Sequence, residues 1–175
     1  MGSPVTVAEI QAAAHGADSR TVVQLLGLGA WTLVGHVSES PEGWAFRTGE
    51  SRPALPPSPH GEGLLPGMTV WPVTPRRPRP GRATQVVLVG RSRSNDVVID
   101  HTGVSKLHAR IHLADGTCAV EDAGSRNGTS VNGRAVVAET RVRLHNGDMI
   151  VFGGVALTVY STPSLLGIVR KLGPG

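Results

Sequence analysis

Three short segments in the second half of the sequence, Gly90-Arg91-Ser92, Val104-Ser105-Lys106-Leu107-His108 and Ser125-Arg126-Asn127-Gly128-Thr129, concentrate polar residues that strand formation alone does not require. Arginine, lysine and serine are hydrogen-bond donors, and an asparagine amide donates and accepts at once. Charge points the same way: residues 1 to 66 hold 3 basic and 6 acidic side chains, whereas residues 67 to 163 hold 12 and 7. A basic surplus of this kind suits an anionic ligand such as a phosphate group or nucleic acid, and it is equally common on solubilising surfaces.

Catalytic patterns are incomplete. There is no nucleophile with a matching base, no carboxylate pair, no phosphate-cradling glycine loop and no cofactor fingerprint. Gly103-Val104-Ser105-Lys106-Leu107 begins like a nucleophile elbow, but it lacks the second glycine and the strand-to-helix context of that motif. Cys118 reads as a small core residue. His108 and His112 share one strand face, yet no cysteine or carboxylate cluster completes a metal site around them. No enzyme activity, cofactor or metal is expected. The arginine run Pro75-Arg76-Arg77-Pro78-Arg79-Pro80-Gly81-Arg82 is a candidate for phosphate-backbone contacts. With prolines interleaved and aromatic stacking partners scarce, it reads instead as a solvated connection between two early strands. No nucleic-acid partner is expected. Asn127-Gly128-Thr129 fits the glycosylation sequon, which carries no meaning in a cytoplasmic chain.

These loops need a rigid scaffold, and from Met68 onward the pattern supplies one. Short apolar runs alternate with turn dipeptides, without helical periodicity until the tail. Val87 and Val89; Ala109, Ile111 and Leu113; Val142 and Leu144; and Val155, Leu157 and Val159 recur at period two, which places each set on one face of a strand. Asp115-Gly116, Asn127-Gly128, Asn132-Gly133 and Asn146-Gly147 tolerate positive φ where the chain reverses. Turns at this spacing indicate an all-β sandwich or barrel.

Before that half, Thr6 to Glu9 reads as a capping box with Val5 and Ile10 as its hydrophobic staple, predicting a helix over 7–15. A second helix runs from Asp18 as N-cap to a left-handed stop at Gly27. Trp31 to Val37 follows as a strand, and Ser38 to Pro66 is rich in Pro, Gly, Ser and Glu and reads as loop or linker. At the other end, Leu165, Ile168, Val169 and Leu172 stand at helical spacing behind Thr162-Pro163 as N-cap and N1, with Gly173 and Pro174 as the stop. The expected organisation is an N-terminal helical and extended segment over 1–37, a linker over 38–66, the β domain over 67–163 and a closing helix and tail over 164–175. Residues 1 to 66 are expected to be separable from the binding function, with Thr21 beside Ser19-Arg20 as a candidate regulatory phosphosite.

At 175 residues the chain can bury a core without metal or disulfide staples. The single cysteine and the absence of a signal-peptide pattern argue for a cytoplasmic protein. No apolar run approaches the roughly 20 residues of a spanning helix.

Taken together, Gly90-Arg91-Ser92, the run Ser94-Asn95-Asp96-Val97-Val98-Ile99, Val104 to His108, Ser125 to Thr129 and Val131-Asn132-Gly133 resemble the forkhead-associated (FHA) domain over about residues 67 to 163. The resemblance implies an eleven-stranded antiparallel β-sandwich whose loops bind phosphothreonine on a partner protein, such as a Ser/Thr kinase or its substrate. It assigns Arg91, the Ser105 hydroxyl and backbone N–H, and Lys106 to the phosphate. It gives Asn127 to the peptide backbone beside the phosphothreonine, Arg126 to downstream peptide residues, and Gly90, His108 and Gly128 to loop support. A phosphothreonine brings about −1.5 to −2 charge and three acceptor oxygens, which a guanidinium meets with parallel charge-assisted bonds. Two positions depart from the family's pattern. Gly103 has no side chain to read the peptide, and Ser130 stands where an aromatic residue is frequent. A domain of the same fold that binds a partner without phosphate is the alternative reading.

Overall fold

The computed structural model describes residues 3–37 and 64–172; most of the expected linker, and the Gly173-Pro174 stop, lie outside the described residues. Twelve strands and three helices follow in chain order: β1 (Val5–Thr6), α1 (Val7–Ala14), α2 (Ser19–Leu26), β2 (Trp31–Gly35), β3 (Thr69–Pro72), β4 (Thr84–Gly90), β5 (Val97–Val98), β6 (Ala109–Ala114), β7 (Thr117–Asp122), β8 (Thr129–Val131), β9 (Arg134–Ala135), β10 (Arg141–Leu144), β11 (Met149–Phe152), β12 (Val155–Ser161) and α3 (Thr162–Lys171). The strands form two sheets, one ordered β1-β3-β2-β12-β11-β8-β9 and the other β10-β7-β6-β4-β5. The protein is a predominantly β sandwich. Its pairings are antiparallel except between β4 and β5, which run parallel, a departure from the all-antiparallel expectation.

The period-two residues do what their spacing predicts. Val87, Val89, Ala109, Ile111, Leu144, Val155, Leu157 and Val159 are buried between the sheets, with Leu113 and Val142 partly buried beside them. A second apolar layer lies on the outer face of the seven-stranded sheet, where Val34, Val70 and Tyr160 meet Val7 and Ile10 of α1, Val22 of α2 and Leu165, Leu166 and Val169 of α3. Leu172, expected on that face, is exposed.

This second layer corrects the expected domain boundaries. β2 is not an appendage of the sandwich but an interior strand, paired on one side with β12 from Trp31↔Ser161 to Gly35↔Leu157 and on the other with β3. β1 in turn pairs with β3. The sandwich therefore begins inside the N-terminal segment, and the notion that residues 1 to 66 are separable conflicts with these pairings.

The helix ends follow from local chemistry. Thr6 and Glu9 complete the capping box of α1, and Val5 packs in the same apolar layer as Ile10. Asp18 caps α2 by accepting from the N–H groups of Arg20 and Thr21, and Gly27 stops it at φ 61°. For α3 the N-cap is Ser161 rather than the expected Thr162, because the Thr162 hydroxyl is already committed to the Gly29 carbonyl. The arginine-rich stretch joins β3 to β4, as its prolines suggested. No helix among the described residues is long and apolar enough to cross a membrane.

Candidate functional site

The three polar segments meet at one end of the sandwich. Arg91 leaves the end of β4, Ser105 and Lys106 lie in the loop before β6, and Arg126 and Asn127 lie in the loop between β7 and β8. Arg91, Thr102, Gly103, Val104, Ser105, Lys106, Arg126 and Asn127 line a shallow depression of about 170 Å³. Among the described residues no carboxylate lines it, and three cationic side chains face the depression. The geometry suits a small, highly charged anion.

Backbone bonds hold the first two loops together. The N–H of Arg91 donates to the Ser105 carbonyl at 2.9 Å, and that of Ser92 to the Lys106 carbonyl at 3.1 Å. Here the chains approach so closely that a Cβ on Gly90 would run into the Lys106 carbonyl oxygen, which explains why glycine stands there. Buried Asn95 closes the junction, its amide donating to the carbonyls of Lys106 at 2.6 Å and Ser92 at 2.9 Å.

His108 links the second loop to the third. Its Nδ1 accepts from the Ser105 N–H at 3.0 Å, so the ring proton sits on Nε2 and is donated to the Gly128 carbonyl at 3.1 Å. This corrects the assignment of the Ser105 backbone N–H to the ligand, since that group is already bound. The Ser105 hydroxyl oxygen accepts from the Arg126 N–H at 3.0 Å, leaving its own proton to donate. Asn127 donates one amide N–H to the Gly103 carbonyl at 2.8 Å, and its oxygen and second N–H have no partner among the described residues. The Nε of Arg91 donates to the Val104 carbonyl at 3.3 Å, which orients the guanidinium, and its terminal donors have no partner among the described residues.

Sequence reasoning missed two supports. Asp122 is buried and accepts from the N–H groups of Gly124 and Ser125 and from the hydroxyls of Ser125 and Thr129 at 2.6 to 2.9 Å, shaping the loop that presents Asn127. Burial raises its pKa, but those bonds outweigh burial and hold the carboxyl below the usual value. An Asp followed by Gly and Ser two and three residues on is a legible turn signal. The other support is the turn after β11. Gly153 donates its N–H to the Gly128 carbonyl at 3.1 Å, and a Cβ on either Gly153 or Gly103 would collide with the other's carbonyl oxygen. The departure at Gly103 is thus a packing requirement. At Ser130 the buried hydroxyl has no hydrogen-bond partner among the described residues.

His108 and His112 do not converge. His112 bonds Glu121 through Nε2 at 2.9 Å, and no group of His, Cys, Asp or Glu among the described residues could hold a metal ion. Burial pushes the Cys118 thiol up to about 12, that of an inert core group. Burial also lowers the pKa of both histidines from 6.5, with Arg141 adding to the effect at His112. The unfolded chain therefore binds protons that the folded chain refuses as pH falls below 6.5, and stability must drop in that window. Urea midpoints are expected to be lower at about pH 5.5 than at about pH 7.5, and equal midpoints would contradict this account.

Residues 87–153 match the family model for the FHA domain. The chain carries an FHA domain. An FHA domain-containing protein of Arabidopsis thaliana is 41% identical over 68 residues, covering 38% of this chain and 18% of that protein. The glycogen accumulation regulator GarA of Mycobacterium tuberculosis is 33% identical over 106 residues, covering 58% of this chain and 63% of GarA. The chain thus spans less than two thirds of the length of either relative. Among solved structures, the N-terminal FHA domain of Saccharomyces cerevisiae Rad53p in complex with a phosphothreonine peptide is 28% identical, covers 49% of this chain and 76% of that one, and superposes with a TM-score of 0.42.

Proposed function

We propose that this chain is a non-catalytic adaptor that binds a phosphothreonine-bearing segment of another protein, such as a Ser/Thr kinase or its substrate. The observation that carries the reading is the convergence of Arg91, Ser105 and Lys106 with Arg126 and Asn127 on one depression that no carboxylate of the described residues lines, inside an FHA domain. Arg91 and the hydroxyl of Ser105 take the phosphate, Lys106 adds charge, and the remaining amide groups of Asn127 hold the adjoining peptide backbone. Gly90, His108 and Gly128 keep the loops in place. A lone, buried, unreactive cysteine fits a cytoplasmic setting.

The test is calorimetric titration with a phosphothreonine peptide chosen from a library, its unphosphorylated twin and its phosphoserine analogue. The phosphothreonine peptide should bind and the twin should not. The FHA resemblance implies an apolar niche for the threonine methyl beside the phosphate. Burying a methyl contributes about 0.8 kcal/mol, or roughly fourfold, so phosphothreonine should exceed phosphoserine by at least about that factor. Equal binding of the phosphorylated peptide and its twin would establish a phosphate-independent scaffold instead.

A further inference from the structure

The two sheets are dressed differently. α1, α2 and α3 pack on the outer face of the seven-stranded sheet, whereas no described element covers the outer face of the other. On β4, β6, β7 and β10 the core-facing residues alternate with Val86, Leu88, Arg110, His112, Ala119, Glu121, Arg141 and Arg143, which point outward. The registers place them in two rows across the sheet, Leu88–Arg110–Glu121–Arg141 and Val86–His112–Ala119–Arg143.

Charge on this face is one-sided. Glu121 is the one carboxylate at these outward positions. It is shared among Arg110 at 2.8 Å, His112 at 2.9 Å and Arg141 at 3.5 Å. Arg143 has no ion-pair partner among the described residues, and Arg141 keeps most of its side chain in solvent. At the end of the rows opposite Arg141 and Arg143 lies apolar surface, with Val86 40% exposed. His112 sits beneath, its side chain only 8% exposed and its Nδ1 buried without a partner.

The rows also lie beside the binding loops. Leu88 is two residues before Gly90, Arg110 two residues after His108, and Glu121 next to Asp122. At about 3.3 Å per residue along a strand, the first row is within roughly 7 Å of the loops and the second within roughly 13 Å. Arg141 and Arg143 lie three strands across from β4, at about 4.8 Å per strand, so an extended chain leaving the phosphate site at Arg91 reaches Arg143 in about six residues.

We propose that this face is a second contact surface for the same phosphoprotein, taking an acidic segment that adjoins the phosphothreonine. The proposal rests on the function proposed above and specifies its partner as a phosphothreonine flanked by acidic residues on one side. Arg141 and Arg143 meet the carboxylates, while Val86 and Leu88 meet the aliphatic parts of the segment.

The test uses the full chain and the double variant Arg141→Glu/Arg143→Glu, checked for an unchanged melting transition, since both side chains are on the exposed face. Three ligands are titrated: a short phosphothreonine peptide, and the same peptide extended by six residues of mixed acidic and apolar type on its N-terminal or C-terminal side. The wild type should bind one extended peptide about tenfold more tightly than the short one, with that gain shrinking as salt rises. The variant should bind the short peptide as the wild type does and lose the gain. If the wild type binds all three equally, or the variant keeps the gain, the second surface is refuted while the phosphate site stands. If the wild type fails to bind the short peptide at all, the fault lies with the phosphate reading. A short single-stranded DNA in a parallel titration, bound by the wild type and lost in the variant while the acidic gain is absent, would reassign the face to nucleic acid and overturn the proposal.

Discussion

Replacing Arg91 with alanine is expected to weaken phosphothreonine-peptide binding by roughly 30-fold to several thousand-fold, the equivalent of about 2 to 5 kcal/mol for removing one partner of a desolvated charge pair. The site gives reasons for an effect of that size. Arg91 is fixed through Nε to the Val104 carbonyl, so its terminal donors are already oriented toward the depression and little entropy is lost when the phosphate arrives. Ser105→Ala should cost less, about 1.5 to 3 kcal/mol or roughly 10- to 150-fold. Two circumstances place it toward the upper part of that range: the Ser105 hydroxyl also holds the Arg126 N–H, and the neighbouring backbone N–H is bound to His108 and supplies no replacement donor. Arg91 is exposed and makes no core contact, so its variant should melt with the wild type. Calorimetry with the selected peptide checks both variants, and binding unchanged by Arg91→Ala would refute the mechanism.

Deleting residues 1 to 66 should abolish cooperative folding of the remainder. The deletion takes out β2, which separates β3 from β12, and β1, which is the only other neighbour of β3. It leaves β3 with no strand to pair with and strips α3 of the helices it packs against. Buried Val7, Ile10, Val22, Leu28, Leu33, Val34 and Leu64 go with it. At about 1.5 to 3 kcal/mol for each fully buried side chain, that loss is about 10 to 20 kcal/mol, against a total stability of about 5 to 15 kcal/mol for an ordinary domain. Residues 67–175 should therefore show neither a sigmoidal melt nor dispersed amide resonances, and a cooperative transition close to that of the full chain would contradict the sheet order.

Much of this was legible in the sequence. Period-two apolar residues, turn dipeptides and helix caps are local signals, and Val87, Gly27 and the Thr6–Glu9 box each appear in the structure in the role their surroundings predict. So was the grouping of polar side chains at one end of the sandwich, because Arg91, Ser105 and Asn127 are conspicuous in loops where strands have no use for them. The placement of β2 was not legible. Trp31 to Gly35 reads as a strand wherever it goes, and its partners lie more than thirty and more than a hundred residues away. Nor was the use of the Ser105 N–H by His108, since a backbone donor looks the same in every residue. The cap of α3 slipped by one residue for a related reason, because the bond that occupies Thr162 reaches back to Gly29.

The contact between Gly103 and Gly153 carries a consequence for anyone wishing to retarget this domain. The position that the FHA resemblance implies can read the peptide is here locked: any side chain at 103 drives the loop off the turn at 153, and any side chain at 153 drives it off from the other side. Saturation libraries at residue 103 would return inactive proteins rather than new preferences. Diversity is better spent on Thr102, Lys106 and Arg126, which are exposed around the same depression and whose side chains can change without disturbing the backbone bonds that keep Arg91 and Ser105 in place.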